Sequence, residues 1–278
     1  MKLVDKVALD FPDSSKRTLL NWIKHGRILV NGKPCRKPHE EVESYTVQEK
    51  NLEIEGIKIL YRDKQIIAID KPAGLLSVPA LNDAPSALTI LARHFKTKNI
   101  YAVHRIDQDT SGVMIFVWGQ DAQARFDQLF ANHDLEREYI AIVDGRISGQ
   151  EGQWDLPLKE LEDYHVVVDP SGRKSITNYW VVKKAKNTSF LRLRLETGRK
   201  HQIRVHCKEA GHPILGDIRY GRPSSRLFLH AHLLAFIHPF TGQPMRFISK
   251  PPAAFIGRGF PPLEESPNQS TINEEGSI

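Results

Sequence analysis

The segment from His104 to Gly112 carries residue types that could form a reactive site. Arg105 places a guanidinium two positions before the carboxylate of Asp107, and a Thr-Ser-Gly sequence typical of a tight turn follows. In an extended chain, side chains two positions apart lie on the same side, so an extended segment would direct Arg105 and Asp107 into one cleft. A carboxylate oriented by a guanidinium can act as a nucleophile or as a base. The alternative is a surface ion pair, which contributes little to stability.

Three segments of the chain resemble motifs of the RluA-type pseudouridine synthases. The first, residues 104–112, is similar to His-Arg-Leu-Asp-x-x-Thr-Ser-Gly, with Ile106 in place of the leucine. The second, residues 61–75, is similar to the family's strand and Lys-Pro-x-Gly loop. The third, residues 197–206, is similar to Thr-Gly-Arg-x-His-Gln-Ile-Arg-x-His. The three segments follow the family's order, and the resemblance therefore covers most of the chain.

The resemblance implies an isomerisation that needs no cofactor. Pseudouridine formation detaches uracil from ribose at a ring nitrogen, rotates it and reattaches it through a ring carbon, with no net redox change. Asp107 is the implied catalytic carboxylate, acting either as a nucleophile on the anomeric carbon or as a base on the sugar. The sequence leaves both routes open. Arg204 is the implied ion-pair partner that orients this carboxylate.

Tyr139 is the third catalytic residue that the resemblance implies. The family carries a Lys-x-Tyr segment after the catalytic loop, and Arg137-Glu138-Tyr139 stands at the matching place. A tyrosine there can accept the proton that leaves the ring carbon and can support the uracil face. A half-buried strand tyrosine with no chemical role is the alternative. Lysine is replaced by Arg137, which retains the positive charge and is interpreted as structural.

Several basic residues are expected to contact RNA around the reactive segment. An enzyme that extracts a base from a stack must fill the vacancy, and the resemblance implies that the planar guanidinium of Arg105 does so. A salt bridge to a nearby acid is the competing role for Arg105. Arg199 and Lys200 are expected to meet phosphates and to make binding salt-dependent. Lys200 departs from the small hydroxyl residue common in the family.

The first fifty residues form a basic module by their charge pattern. From Lys16 to Lys37 the chain holds seven lysines or arginines and no acid. Ser14 or Ser15 can cap a helix whose apolar face is formed by three residues and which ends near Gly26. The predicted apolar residues are Leu19, Leu20 and Ile23, and the predicted solvent-facing cations are Lys16, Arg17 and Lys24.

A strand and a tight turn follow this helix. Residues 27–30 are apolar after Arg27, and Asn31-Gly32 is the strongest short hairpin pattern in the sequence. Helix, strand and turn together resemble the alpha-L RNA-binding module that often precedes RluA-type catalytic domains. The resemblance implies that the cations of this module, Lys16, Arg17, Lys24 and Arg27, bind RNA. A solvated charged helix on an ordinary domain is the alternative.

The remaining chain predicts an α+β fold. Apolar strand-like runs are interrupted irregularly by helical segments over residues 86–95, 122–130 and 201–209, which favours a mixed, largely antiparallel sheet over a regular βαβ repeat. The expected division is a basic module over 1–50, a catalytic domain over 51–260 and an acidic, disordered tail over 261–278. Residues 40–50 are the expected linker.

Composition fits a cytoplasmic protein with a polyanionic partner. The chain has 278 residues, a hydrophobic fraction of 40%, a formal net charge of +6 and a pI of about 9.2. The two cysteines, Cys35 and Cys207, form no Cys-x-x-Cys pair, which argues against a disulfide framework and a zinc knuckle. No signal-peptide core or membrane-spanning apolar run is present. We expect a monomer that binds no membrane.

Two rival functions are considered. Six of the 12 histidines lie between His201 and His238, but their spacing lacks the His-x-x-x-His step of a helical metal site, so no metal is expected. An RNA-binding ribosome-assembly protein without catalysis is less favoured, because Asp107, Tyr139 and Arg204 are all present. The front module favours large-subunit ribosomal RNA as the substrate by resemblance, with transfer RNA as the runner-up.

Overall fold

The computed structural model describes residues 1–263 except 12–14, 25, 27, 31–32, 48–51 and 81–83. The chain divides into two compact units, residues 1–52 and 53–278. No helix in the described part of the chain is long and apolar enough to cross a membrane. Several predicted features, namely the Ser14 cap, Arg27, the Asn31-Gly32 turn and residues 264–278 of the predicted tail, lie outside the described residues.

The first unit joins two helices to a small sheet. Its elements are α1 (Leu3–Asp10), α2 (Lys16–Lys24), β1 (Ile28–Val30), β2 (Lys33–Pro34) and β3 (Thr46–Val47). The Ser15 Oγ accepts a hydrogen bond of 3.2 Å from the Thr18 backbone N–H, so Ser15 caps α2. The strand β1 pairs antiparallel with both β2 and β3.

Two predictions for this unit are wrong. Leu20 is 36% exposed, whereas Leu19 and Ile23 are buried against α1, because the buried face of the helix has a spacing of four residues. The predicted linker also begins too early. Val42 belongs to the core of the unit, and β3 extends its sheet, so residues up to Val47 are part of the fold.

The second unit is built on a large sheet. Within the described residues the sheet has eleven strands, with the order β10-β13-β14-β9-β15-β8-β6-β5-β4 and with β16 and β7 paired to β15 and β8. These strands are β4 (Leu52–Ile54), β5 (Ile57–Arg62), β6 (Ile66–Lys71), β7 (Ile100–Ala102), β8 (Ser111–Trp118), β9 (Leu135–Asp144), β10 (Glu151–Asp155), β13 (Ile176–Lys184), β14 (Thr188–Leu195), β15 (Leu229–Ile237) and β16 (Pro244–Ile248). A separate hairpin joins β11 (Leu158–Glu160) to β12 (Val166–Val168).

Helices cover both faces of the sheet. They are α3 (Ala87–His94), α4 (Gln120–Ala131), α5 (Gln202–Glu209) and α6 (Ala253–Gly257). Alternate residues of β8 divide between two cores: Met114 and Phe116 pack in the core that contains α3, and Ile115 packs in the core that contains α4. A strand buried on both faces reads as a continuous apolar run, which explains the sequence of β8.

Strand directions confirm the α+β class with a mixed, largely antiparallel sheet. The strands β8 and β15 run parallel, whereas β8 is antiparallel to β6 and β7, and β15 is antiparallel to β9 and β16. At the parallel junction Gly112 has φ +116°, and a Cβ there would lie 2.1 Å from the carbonyl oxygen of Ala231. Only glycine permits this close approach, so Gly112 at the end of the reactive segment lets the start of β8 pack against β15.

Candidate active site

A cavity of about 520 Å³ opens where the loop before β8, the strand β9 and the start of α5 meet. The structure brings to its wall five of the residues singled out in the sequence analysis: Arg105, Asp107, Tyr139, Arg199 and Arg204. These come from three segments that are far apart in the sequence. Lys200 is not part of the cavity wall, and Lys16, Arg17 and Lys24 are exposed on the first unit.

Arg204 connects two carboxylates. Its Nη1 donates to the Asp107 Oδ2 at 3.0 Å, while its Nε and Nη2 donate to the two oxygens of Asp217, each at 2.8 Å. The Arg204 and Asp217 side chains are 8% and 0% exposed, and that of Asp107 is 21% exposed. The bidentate bond to Asp217 therefore fixes the guanidinium, and the remaining edge holds Asp107 at the cavity.

The opposite charges of Arg204 and Asp217 each shift the pKa of the other so that the charged form is favoured. Burial alone would lower the pKa of Arg204, but the hydrogen bonds and charges of Asp217 and Asp107 outweigh it and raise the pKa. Burial alone would raise the pKa of Asp217, but Arg204 and the backbone N–H groups of Tyr220 and Arg219 outweigh it and lower the pKa. Both groups are therefore ionised.

The loop that carries Asp107 is fixed by the Lys-Pro-x-Gly segment. The buried Lys71 Nζ donates to the carbonyls of Pro72, Leu75 and Gln108 at 2.9, 2.6 and 2.9 Å. Burial lowers the pKa of Lys71 to about 7, against the charges of Asp109 and Asp107. Three carbonyl acceptors need three N–H donors, so the lysine in this arrangement is an ammonium. The Gly74 N–H also donates to the Gln108 carbonyl at 2.9 Å.

Two further side chains fix the same loop. Ser77 Oγ donates to the carbonyl of Ile106 at 2.6 Å and accepts from its N–H at 3.2 Å. The His104 ring stacks on Phe130 at 4.8 Å, and its Nε2 accepts from the Ile115 N–H at 2.9 Å. Residues 104–107 belong to no strand. The predicted alternation in an extended strand is therefore not what places Arg105 and Asp107 on one cavity; these contacts with neighbouring elements do.

Tyr139 lies on β9 and lines the cavity. Burial raises the pKa of Tyr139 to about 12; the charge of Arg137 acts against this shift, and that of Asp107 adds to it. The phenol is therefore neutral at physiological pH. The Tyr139 backbone lies between β14 and β15, opposite Leu193 on one side and Ala231 on the other, and its side chain projects from the sheet.

The start of α5 is held by Gln202. Its Oε1 accepts from the Thr197 hydroxyl at 2.8 Å and from the Arg199 N–H at 3.0 Å, and its Nε2 donates to the Ile176 carbonyl at 2.9 Å. These hydrogen bonds fix the first residue of α5 and thereby the position of Arg204 on the same helix. Arg204 is the third residue of α5, two positions after Gln202 and within the first turn of the helix.

His201 contacts the ion-pair system without belonging to it. Its Nδ1 lies 2.7 Å from the Tyr220 hydroxyl, and its Nε2 lies 3.9 Å from Asp107 Oδ1. Burial lowers the pKa of His201 to about 4, against the charge of Asp107. His201 is therefore neutral at pH 7, and Arg204 is the cation that neutralises Asp107.

The predicted RNA-binding side chains around the cavity differ in their exposure and in their contacts with the protein. Arg105 is exposed at the cavity. The Arg199 Nε donates to the Lys174 carbonyl at 3.4 Å. Lys200 forms an ion pair with Glu160 and lies 4.9 Å above the ring of Tyr164. Arg105 and Arg199 are thus both exposed at the cavity, whereas Lys200 is half-buried and already paired.

Sequence reasoning did not identify Asp217, Ser77 or Lys71 as parts of the site. Asp217 lies 13 residues after Arg204 and outside the third motif, so no spacing pattern connects the two. Lys71 lies in the Lys-Pro-x-Gly loop, and the motif alone does not show that its side chain binds the loop of Asp107. A buried aspartate that follows a predicted catalytic arginine could be found from sequence only by knowing the path of the chain between them.

The clustered histidines bind protein groups. His206 contacts Thr177 Oγ1 and the Leu156 carbonyl, and His230 contacts Ser111 Oγ and the Ser249 carbonyl. Across the described ranges, no group of three or more histidine, cysteine, aspartate or glutamate side chains could hold a metal ion.

Residues 65–209, more than half of the chain, match the family of RNA pseudouridylate synthases. The chain belongs to this family. It is therefore an enzyme that acts on RNA, and residues 4–45 match the S4 domain, so the first unit is an RNA-binding S4 domain. Recognition of the family from the three motifs is confirmed.

Curated relatives agree with this assignment. The chain is 33% identical over 280 residues to the ribosomal large subunit pseudouridine synthase D of Escherichia coli K12, with 88% of this chain and 86% of that protein covered. The protein of the same name from Vibrio cholerae is 35% identical with the same coverage.

Solved structures share the fold. Human RNA pseudouridylate synthase domain containing 1 has a TM-score of 0.61 at 21% identity, covering 73% of this chain and 86% of that chain. Human RNA pseudouridylate synthase domain containing 4 has a TM-score of 0.59 at 25% identity, covering 71% and 90%. The first of these likenesses concerns the fold alone.

The half-buried imidazole of His104 predicts that the free energy of unfolding depends on pH in the acid range. Burial, aided by the charge of Arg137, lowers the pKa of His104 to about 3. Below about pH 6.5 this histidine binds a proton in the unfolded chain but not in the folded chain. The contribution of His104 to the free energy of unfolding is therefore lost as pH falls from about 6.5 towards 3. Relative to His104→Gln, the free energy of unfolding of the wild type should fall by up to about 1.4 kcal/mol per pH unit in this window.

Chemical denaturation at pH 7 and at pH 4.5 measures this difference. The exposed His94 offers a matched control, because His94→Gln removes one histidine outside the cavity. Parallel stability curves for wild type and His104→Gln would show that the ring is not held neutral.

Proposed function

We propose that this enzyme converts specific uridines of large-subunit ribosomal RNA to pseudouridine through the carboxylate of Asp107. The observation that carries the proposal is the 3.0 Å contact between Asp107 and Arg204 at the wall of a 520 Å³ cavity. The names of the relatives from two bacteria support ribosomal RNA over transfer RNA as the substrate.

The geometry suits either chemical route. In one, Asp107 attacks the anomeric carbon C1′ and the electron pair of the N1–C1′ bond leaves with uracil. In the other, Asp107 removes a proton from the sugar and the same bond breaks. Both need an ionised, oriented carboxylate that is partly accessible, and Asp107 is 21% exposed with one oxygen bonded to Arg204.

We assign Tyr139 to the uracil ring. Its ring forms part of the cavity wall near Asp107 and can support the face of the detached base. With a pKa of about 12 the phenol is neutral, so it can take the proton from the ring carbon only while passing its own proton on. Support of the uracil face is therefore its principal role in this proposal.

Arg105 is assigned to the RNA outside the cavity. Its side chain is exposed at the cavity, where a planar cation can stack in the space that the extracted uridine leaves. Arg199 and Lys200, with the cations Lys16, Arg17 and Lys24 of the S4 domain, supply charge for the phosphates.

One chain supplies the whole candidate site, since Asp107, Tyr139 and Arg204 line the same cavity. We therefore infer that the protein works as a monomer. Both cysteines are buried and free, which fits a reducing compartment such as the cytoplasm.

Replacement of the proposed catalytic carboxylate tests the reaction directly. Asp107→Asn keeps the size of the side chain but removes its charge, so conversion should fall by about 10⁴-fold or more while RNA affinity changes little. Tritium release from [5-³H]uridine transcripts of ribosomal and transfer RNA measures the rate. Retained turnover would refute the role of Asp107, and release from transfer RNA alone would change the proposed substrate.

Removal of the S4-domain cations tests their contact with phosphates. The combined change Lys16→Ala, Arg17→Ala and Lys24→Ala should reduce the slope of log K against log salt by about 2 to 3. Filter binding at several salt concentrations measures this slope. Lys64→Ala, Lys96→Ala and Lys98→Ala, on exposed residues outside both the S4 domain and the cavity, provide the control. An unchanged slope in the S4-domain variant would count against its role.

A further inference from the structure

Arg137 is a half-buried cation at the cavity with unpaired N–H groups. The guanidinium of Arg137 forms part of the cavity wall, and its Nε and Nη2 are inaccessible to solvent and without a hydrogen-bond partner in the described part of the chain. Leaving buried N–H groups of a charged side chain unpaired costs free energy, so such groups mark a place where a ligand completes the structure.

The side chains of Arg137 and Tyr139 project from the same face of β9 towards the cavity. The two residues lie two positions apart on β9, so their side chains are on one face of the sheet. The opposite wall is shaped for the guanidinium, because a Cβ on Gly198 would lie 2.4 Å from the Arg137 Nη1. A glycine in the third motif therefore leaves the space that Arg137 occupies.

Among the residues that the structure describes, no carboxylate forms an ion pair with Arg137. Its charged neighbours include Arg199, and the phenol of Tyr139 is neutral. Asp107 is already paired with Arg204. Burial lowers the pKa of Arg137, as expected for a cation that lacks a counter-charge. The guanidinium is thus a positive charge without a counter-charge at the cavity in which we propose that uracil binds.

The reaction produces a negative charge of the kind that this cation would stabilise. When the N1–C1′ bond breaks, its electron pair leaves with uracil in either route, and the resulting anion carries its charge on N1 and the carbonyl oxygens O2 and O4. The charge disappears when C5 bonds to C1′ and the proton on C5 is lost while N1 gains one. Donors fixed in advance at such an oxygen lower the barrier.

We propose that Arg137 is a further catalytic residue whose guanidinium binds a carbonyl oxygen of uracil and stabilises the anion formed when the glycosidic bond breaks. This inference rests on the proposed function and replaces the structural role given to Arg137 by sequence reasoning. It differs from the role of Arg204, which binds the carboxylate and not the base.

Single-turnover conversion of three RNA substrates tests this assignment. The target position carries uridine, 2-thiouridine or 4-thiouridine, and the product is quantified by nucleoside chromatography after digestion. Sulfur accepts hydrogen bonds poorly, so substitution of the oxygen that Arg137 contacts should remove most of the benefit of Arg137. The intrinsic effect of sulfur on the chemistry is the same for both proteins and cancels in their rate ratio.

The expected result is specific to one carbonyl. With uridine, Arg137→Gln should be about 100-fold slower than the wild type, the usual cost of losing one donor to a developing oxyanion. This ratio should fall below about tenfold with one thiouridine and stay near 100-fold with the other. RNA affinity should change by less than about threefold, since the contact strengthens only in the transition state.

Three further variants complete the design. Arg137→Lys keeps the charge and should retain more activity than Arg137→Gln. Gly198→Ala displaces the guanidinium without removing it and should slow conversion with little effect on RNA affinity. The exposed Arg146, which is outside the cavity wall, gives a matched control, because Arg146→Gln should match the wild type on all three substrates. Thermal melting establishes that each variant is folded.

The outcomes separate this inference from the proposed function. If the wild type converts uridine and Arg137→Gln is equally fast, or if both thiouridines leave the ratio unchanged, Arg137 does not contact the base and the inference fails while the proposed function stands. If the wild type makes no pseudouridine in any RNA, the proposed function fails.

Discussion

The whole site depends on one guanidinium that two carboxylates share. Arg204 is almost completely buried, and a buried cation without partners would be strongly destabilising. Asp217 takes two of its N–H groups in a bidentate bond and thereby fixes the plane of the guanidinium. The third contact then places the Asp107 carboxylate at the cavity. Removing Asp217 from this arrangement would leave Arg204 free to turn towards Asp107 and would remove the orientation on which the proposed reaction depends.

The surrounding fold turns an irregular loop into a rigid support for Asp107. Residues 104–107 belong to no strand, yet hydrogen bonds to neighbouring elements hold the loop. Lys71 and Ser77 bind its carbonyl groups, and His104 binds the backbone of β8. Catalytic residues on loops that a sheet supports are a common arrangement, because the sheet supplies rigidity and the loop supplies access.

The sequence predicted the reactive groups better than their supports. Asp107, Tyr139 and Arg204 lie within long motifs, and the structure brings all three to one cavity, although their roles stay predictions. The strands also followed from apolar runs, since burial on both faces gives β8 an uninterrupted apolar sequence. Asp217 could not be found, because its contact with Arg204 depends on the path of the chain after α5. Leu20 was misplaced because a short amphipathic helix leaves the edge of its apolar face open, and tertiary packing decides it.

The most direct test of this account is the single-turnover rate of Arg204→Lys on ribosomal RNA. Lysine keeps the positive charge but has one nitrogen, which cannot bind Asp217 along two edges and still hold Asp107 in place. If orientation of Asp107 by this shared guanidinium is central, pseudouridine formation should slow by about 100-fold or more, the scale expected for a misplaced reacting group. A folded Arg204→Lys protein that converts uridine within about threefold of the wild-type rate would contradict the account, since a charge without fixed geometry would then suffice.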